Sequence, residues 1–242
     1  MSRVTPVPAR SFGRISKCVI TFVTAVTAGG TARAEVETYR AAPSPDGAPS
    51  LRVDLPYTFG THQFEVREVK GEVHVDWQGT PSVTGRLAVP LTALRGGGET
   101  LSCHMHESLG LDYARSSFPA EHVCSGGRLP ATGPDAIAFP EIVFEIKSAT
   151  LAANHPPGGA AGRGKVRLSV TGRWIIHGVS RDDTFDLELT PMEGVGAHPR
   201  LFRLEGARKL RLASYGIQVK RALIVTAGEE ATVKLNLVLK VQ

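Results

Sequence analysis

The sequence predicts an all-β protein, an extended antiparallel β-barrel of about eight strands with one short helix near its mouth. Three observations predict it. Apolar and polar residues alternate with the period of a half-buried strand in run after run beyond residue 51. No helical pattern recurs between those runs, which excludes the alternating strand and helix order of parallel sheets. The 42% hydrophobic and 21% charged composition of the 242 residues suits a packed core and argues against disorder.

Residues 1–34 read as a secretory signal peptide. Arg3, Arg10, Arg14 and Lys17 precede an apolar run over 18–28, and small residues end at Ala32-Arg33-Ala34, so cleavage is expected after Ala34. The run falls short of the roughly 20 residues a membrane span needs. The leader holds five of the 28 basic residues and none of the 23 acidic ones, so the remaining chain carries equal numbers of each. A neutral mature chain gives no reason to expect a nucleic-acid partner. Residues 35–50, with Pro43, Pro45, Gly47 and Pro49, show no periodic apolar face and are expected as a flexible lead-in.

Residues 51–242 are the expected barrel domain. Its clearest strand sets Val166, Leu168, Val170, Gly172, Trp174 and Ile176 on one face, against Lys165, Arg167, Ser169, Thr171 and Arg173 on the other. Phe185, Leu187 and Leu189 alternate in the same way, and the polar stretch 177–183 is expected to join the two as a hairpin. Val233, Leu235, Leu237, Leu239 and Val241 mark a closing strand. Shorter alternating runs lie over 51–55, 64–69, 73–77, 83–89, 142–146, 202–204 and 216–225. Long one-faced strands joined by short turns favour closure into a barrel, which removes exposed sheet edges.

Two segments break the alternation. Leu101, Met105 and Leu109 recur every four residues, with Thr100 or Ser102 as an N-cap, and predict a short helix over the mouth. Residues 116–138 form an irregular insertion rich in Pro, Gly and Ser. Cys18 leaves with the leader, so export to an oxidising compartment leads us to expect a disulfide between Cys103 and Cys124. Closing that loop contributes about 3 kcal/mol.

Motifs in a particular order carry a further resemblance. They are Phe64-Glu65-Val66 with Gly71-Glu72-Val73, the strand 83–91, His104-Met105-His106-Glu107-Ser108-Leu109, Phe139-Pro140-Glu141-Ile142-Val143-Phe144, the strand and turn 170–181 with His177-Gly178-Val179, and Ser214-Tyr215-Gly216-Ile217. In this order they resemble the YceI-like family of lipid-binding, lipocalin-like proteins. The resemblance implies a periplasmic barrel whose tunnel holds a long isoprenoid chain, such as a polyprenyl phosphate or quinone tail, and no other cofactor. Insertion 116–138 departs from that family, which runs almost directly from helix to strand. Burying about ten hydrocarbon carbons supplies roughly 8 kcal/mol before ordering costs, so a long tail needs little polar recognition.

On this reading Trp77, Phe144, Trp174, Phe185, Phe202 and Met105 are expected to line the tunnel, and His104, Arg173 and Arg181 to contact a head group. His177 is expected as a hydrogen-bonding strut. Oligomeric state is left open, a homodimer included. One alternative is a metal- or haem-linked stress-response protein using the cluster Cys103, His104, Met105 and His106. A second is a lipid-modifying enzyme with His177 or Glu107 as base. The chain shows no nucleophile elbow, phosphate loop, paired carboxylates or zinc-hydrolase spacing, so a non-enzyme is the expectation.

Overall fold

Period-two alternation has to bury one face of every strand, and here the sheet does so by closing on itself. The computed structural model describes residues 36–77, 82–152, 165–193, 199–218 and 227–242. Its strands are β1 (Val36–Ala42), β2 (Leu51–Tyr57), β3 (Gly60–Val66), β4 (Lys70–Asp76), β5 (Ser82–Pro90), β6 (Glu141–Leu151), β7 (Val166–Ile176), β8 (Val179–Glu193), β9 (Leu201–Arg211) and β10 (Glu230–Val241), with helix α1 (Glu99–Gly110) after β5. All pairings are antiparallel. From β4 to β10 each strand of the wall neighbours the next, and β1 pairs with both β4 and β10.

The hairpin β2–β3 makes this an eight-stave barrel. β10 pairs with β2 from Thr232 to Leu235 and with β1 from Val238 to Val241. β1 and β2 are therefore successive halves of one stave, and β4 and β3 are the halves of the next. β5 and β4 cross closely where Gly71 (φ 122°) faces Leu87 and Gly85 (φ 155°) faces Val73. A Cβ at Gly71 would sit 1.9 Å from the Arg86 carbonyl oxygen, and one at Gly85 2.4 Å from that of Glu72, so no larger residue fits this crossing.

The strongest predicted strand is observed as read, with Val166, Leu168, Val170, Gly172, Trp174 and Ile176 all buried. Several expectations are corrected. Within 35–50, Val36–Ala42 is not a lead-in but strand β1, and Tyr39 at its centre is fully buried. A half-stave needs few inward side chains, so β1 carries too few apolar residues to show a period. The hairpin turn is not 177–183 but the two residues His177 and Gly178, both left-handed (φ 51° and 73°), as a tight antiparallel hairpin requires. Gly178 is needed there because a Cβ would meet the Phe139 ring at 2.7 Å.

β6 and β9 run well beyond the short 142–146 and 202–204 runs. In the expected strand 216–225, Gly216 is instead the left-handed cap of the 3-10 turn Leu212–Tyr215, and 219–226 lie outside the described residues. Thr100 and Ser102 do not cap α1. The cap is Gly98, whose carbonyl accepts the Ser102 hydroxyl at 2.8 Å from inside the first turn. The leader 1–34 also lies outside the described residues.

The two ends of the barrel differ. At the end where β1 begins, Tyr39, Phe202, Leu237 and Leu239 fill the interior, with Tyr39 and Phe202 rings 4.7 Å apart. The Tyr39 hydroxyl donates to the Pro199 carbonyl at 2.9 Å and lies against Glu37, which also accepts the Trp77 indole N–H at 2.9 Å. Burial pushes the Tyr39 phenol up. The opposite end, where α1 lies, is hollow.

Candidate ligand cavity and its polar rim

Inward side chains of β2, β6, β7, β9 and β10 stop short of meeting at the α1 end and leave a cavity of about 390 Å³. That volume is in the range of small-ligand pockets. Its wall includes Leu55, Phe64, Leu87, Phe144, Ile146, Trp174, Phe185, Leu187, Leu204, Val233 and Leu235, with Leu101, Met105 and Leu109 of α1 above. Gly206 contributes to the room, since a Cβ there would come within 2.4 Å of Leu187. β8 and β9 pair only from Glu188–Glu205 to Glu193–Leu201, and nearer α1 the Arg208 guanidinium bridges the seam to both Asp183 oxygens, at 2.8 and 2.6 Å.

The expected lining residues divide. Phe144, Trp174, Phe185, Met105 and His104 border the cavity, and the first three form an aromatic cluster with ring centroids 4.5 to 6.1 Å apart. Trp77 and Phe202 do not border it. They belong to the filled end, which makes the cavity a blind pocket among the described residues where a tunnel was expected. Arg173 and Arg181 also stand away from the cavity. Arg173 points outward between inward neighbours on β7 and bonds Asp182 at 3.0 Å, and Arg181 donates to the Ser214 carbonyl at 3.0 Å.

The rim is built from α1 and the insertion. Cys103 and Cys124 form the expected disulfide, with Cα atoms 6.0 Å apart. The insertion forms no helix or named strand, yet it is tied down. Phe118 is buried against the cavity, and Asp135 accepts Ser116 Oγ at 2.7 Å and Ser117 N–H at 2.8 Å.

At the centre of this tie lies Glu107, whose side chain is 0% exposed. Its Oε1 accepts the backbone N–H groups of Val123 (2.6 Å) and Cys124 (2.7 Å), and its Oε2 accepts Nδ1–H of His104 (2.8 Å) and His122 (2.9 Å). These four bonds use the lone-pair positions of a carboxylate in full. Burial alone would raise the Glu107 pKa, but the two histidines and the two amides outweigh it and hold the carboxyl below its ordinary value. The His104 and His122 rings stand 4.3 Å apart, and both border the cavity with Ser108.

Sequence reading did not single out His122, and it considered Glu107 only as a base. The signal was present, since His104 and Glu107 are three apart on one helix and His122 is two residues before a cysteine paired to α1. Tyr57 and His62, stacked at 4.0 Å across the β2–β3 turn, were also missed at the rim.

The cluster Cys103, His104, Met105 and His106 is not brought together as a metal or haem site. Cys103 is spent in the disulfide, Met105 packs on the core, and His106 is buried with Nε2–H donating to the Leu94 carbonyl at 3.0 Å. Burial lowers the His106 pKa. His104, Glu107 and Cys124 do place ligand atoms within 4.8 Å of one another, but the Cys124 sulfur is in the disulfide and Glu107 is fully engaged. His177 serves as a strut, its Nδ1–H donating to the Leu109 carbonyl at 3.2 Å between the rings of Tyr113 and Phe139. Burial lowers its pKa as well.

A closed antiparallel barrel with one helix over an apolar pocket is a lipocalin-like fold. No protein family's sequence profile and no curated protein matches the chain. Among solved structures, the fold is similar to a polyisoprenoid binding domain from Saccharophagus degradans implicated in plant cell wall breakdown, with a TM-score of 0.50 at 9% identity over 84% of this chain and 98% of that one. Burkholderia cenocepacia BcnA gives a TM-score of 0.48 at 13% identity, over 78% and 95% of the two chains. A mutant CJ YCEI protein gives 0.38 at 11% identity, over 72% and 83%.

Proposed function

We propose that the protein is an exported, non-enzymatic carrier that holds an isoprenoid-type lipid in its barrel. The observation that carries this reading is the cavity of about 390 Å³, walled by aliphatic and aromatic side chains and open in volume where a packed core would be solid. Such a wall rewards hydrocarbon at about 0.8 kcal/mol per CH₂ and offers little to a polar solute. The polyisoprenoid binding domain with the same fold supports an isoprenoid tail as the hydrocarbon. Export to the periplasm is supported by the basic, apolar and small-residue order of the leader, with cleavage after Ala34.

The non-enzymatic reading is supported by the candidate bases. Glu107 has no lone pair left for a substrate proton, and His177 is tied to Leu109 away from the cavity wall. Native mass spectrometry of the chain made with its leader in its own host tests both parts. The expected species begins at Glu35 and carries a hydrocarbon-rich adduct. A ligand-free protein that takes up no isoprenoid on titration would sink the proposal.

A further inference from the structure

The hydrocarbon cavity ends in a polar device that a purely greasy ligand would leave unused. Glu107 is completely buried and fully bonded, so it cannot itself meet a ligand. What it does is orient two imidazoles. Each gives Nδ1–H to the same carboxylate oxygen, which leaves each Nε2 as the ring's remaining hydrogen-bonding atom. His104 and His122 are 37% and 41% exposed, and both border the cavity.

Charge decides what this pair recognises. An acid on the ligand can pass its proton to an Nε2, which leaves its oxyanion against an imidazolium whose Nδ1–H stays on Glu107, and an alcohol is too weak an acid to do the same. A second observation agrees with a ligand that brings acceptor oxygens. Trp174, in the same cavity wall and 8% exposed, has an indole N–H with no partner among the described residues. A buried donor left unpaired is costly, and a ligand oxygen would satisfy it.

We infer that His104 and His122, held by Glu107, form a head-group site that selects amphiphiles ending in an oxyanion, a carboxylate or a phosphate, over alcohols with the same tail. This rests on the lipid reading above and adds the chemistry of the ligand's polar end. The site depends on the insertion, since the Cys103–Cys124 crosslink and the Val123 and Cys124 amides on Glu107 hold the segment that carries His122 against α1.

The test is calorimetric titration of the mature chain with two tail-matched pairs, farnesyl phosphate against farnesol and dodecanoate against dodecanol. The expected result is tighter binding of the acid by about tenfold or more in at least one pair. The pair with the larger ratio tells whether the natural head is phosphate or carboxylate. In His104→Gln/His122→Gln the ratio collapses to about one, whereas Arg173→Gln on the outward face leaves it at the parent value. Nitrogen-15 spectra of the unmutated chain give a reading independent of the variants, in which the imidazole Nε2 signals of His104 and His122 move with the acid and stay with the alcohol. Equal binding of acid and alcohol, a ratio that survives the double substitution, or still Nε2 signals would each overturn the head-group site alone. Failure of all four ligands to bind would overturn the lipid reading with it.

Discussion

Glu107 shows how much one side chain can organise. Four donors converge on it from the helix and from a loop 15 to 17 residues further on, so replacing its carboxylate strands several of them at once. Glu107→Gln should cost about 1 to 3 kcal/mol at neutral pH, because an amide brings N–H groups where acceptors are required. The pH dependence of stability follows from the same residues. His106 and His177 have folded pKa values lowered by burial, so the unfolded chain takes up their protons first and stability begins to fall below about pH 6.5. Glu107 has a lowered folded pKa, so its contribution is complete above the ordinary carboxylate value near 4.3 and is lost as pH falls through the folded value. Denaturation midpoints at pH 7.5, 5.5 and 3.5 should therefore decline in two stages, with the second reduced in Glu107→Gln. A variant as stable as its parent at neutral pH would show that the four bonds count for little.

Helix α1 and the insertion act as one lid because they are joined covalently and through Glu107. The disulfide closes a loop with a sequence separation of 21, which corresponds to about 3 kcal/mol from restricting the unfolded chain. Cys103→Ser/Cys124→Ser should lower the stability by about that amount in a thermal or denaturant melt. Reducing agent should do the same to the parent and nothing to the variant. Both cysteines and the apolar spacing of Leu101, Met105 and Leu109 were legible in the sequence, and the crosslink and helix came out as expected. The helix cap was not, because Thr100 and Ser102 have the chemistry of a cap and only the backbone path shows that Gly98 holds the position. The β7–β8 turn was read too long for a similar reason. Val179 to Asp183 is polar enough to pass for a loop, and its strand character comes from pairing with Gly172 to Ile176 across the hairpin.

The barrel is solid at one end and hollow at the other, and this asymmetry is what its proposed function uses. Val233 sits in the cavity wall where β10 pairs with β9 and β2, so Val233→Trp directs an indole into empty volume and leaves the ladder intact. The variant should fold with a parent-like circular dichroism spectrum and lose most of its lipid uptake in native mass spectrometry. Undiminished uptake would place the ligand somewhere other than this cavity.

The closed all-β architecture and the long strands were set by local alternation, a property each segment carries whatever its neighbours do, and so Val166 to Ile176 could be read face by face. The cavity could not, because an inward apolar residue looks the same whether it meets a partner or empty space. Trp174 borders the cavity and Phe202 helps to fill the opposite end, although both alternate correctly. The rim was equally hidden. His104, Glu107 and His122 span 19 positions of chain and become one site only when a disulfide and two backbone amides bring the insertion back onto the helix. Periodicity is local and therefore visible in a sequence, whereas what lies across a barrel from a given side chain depends on closure and register.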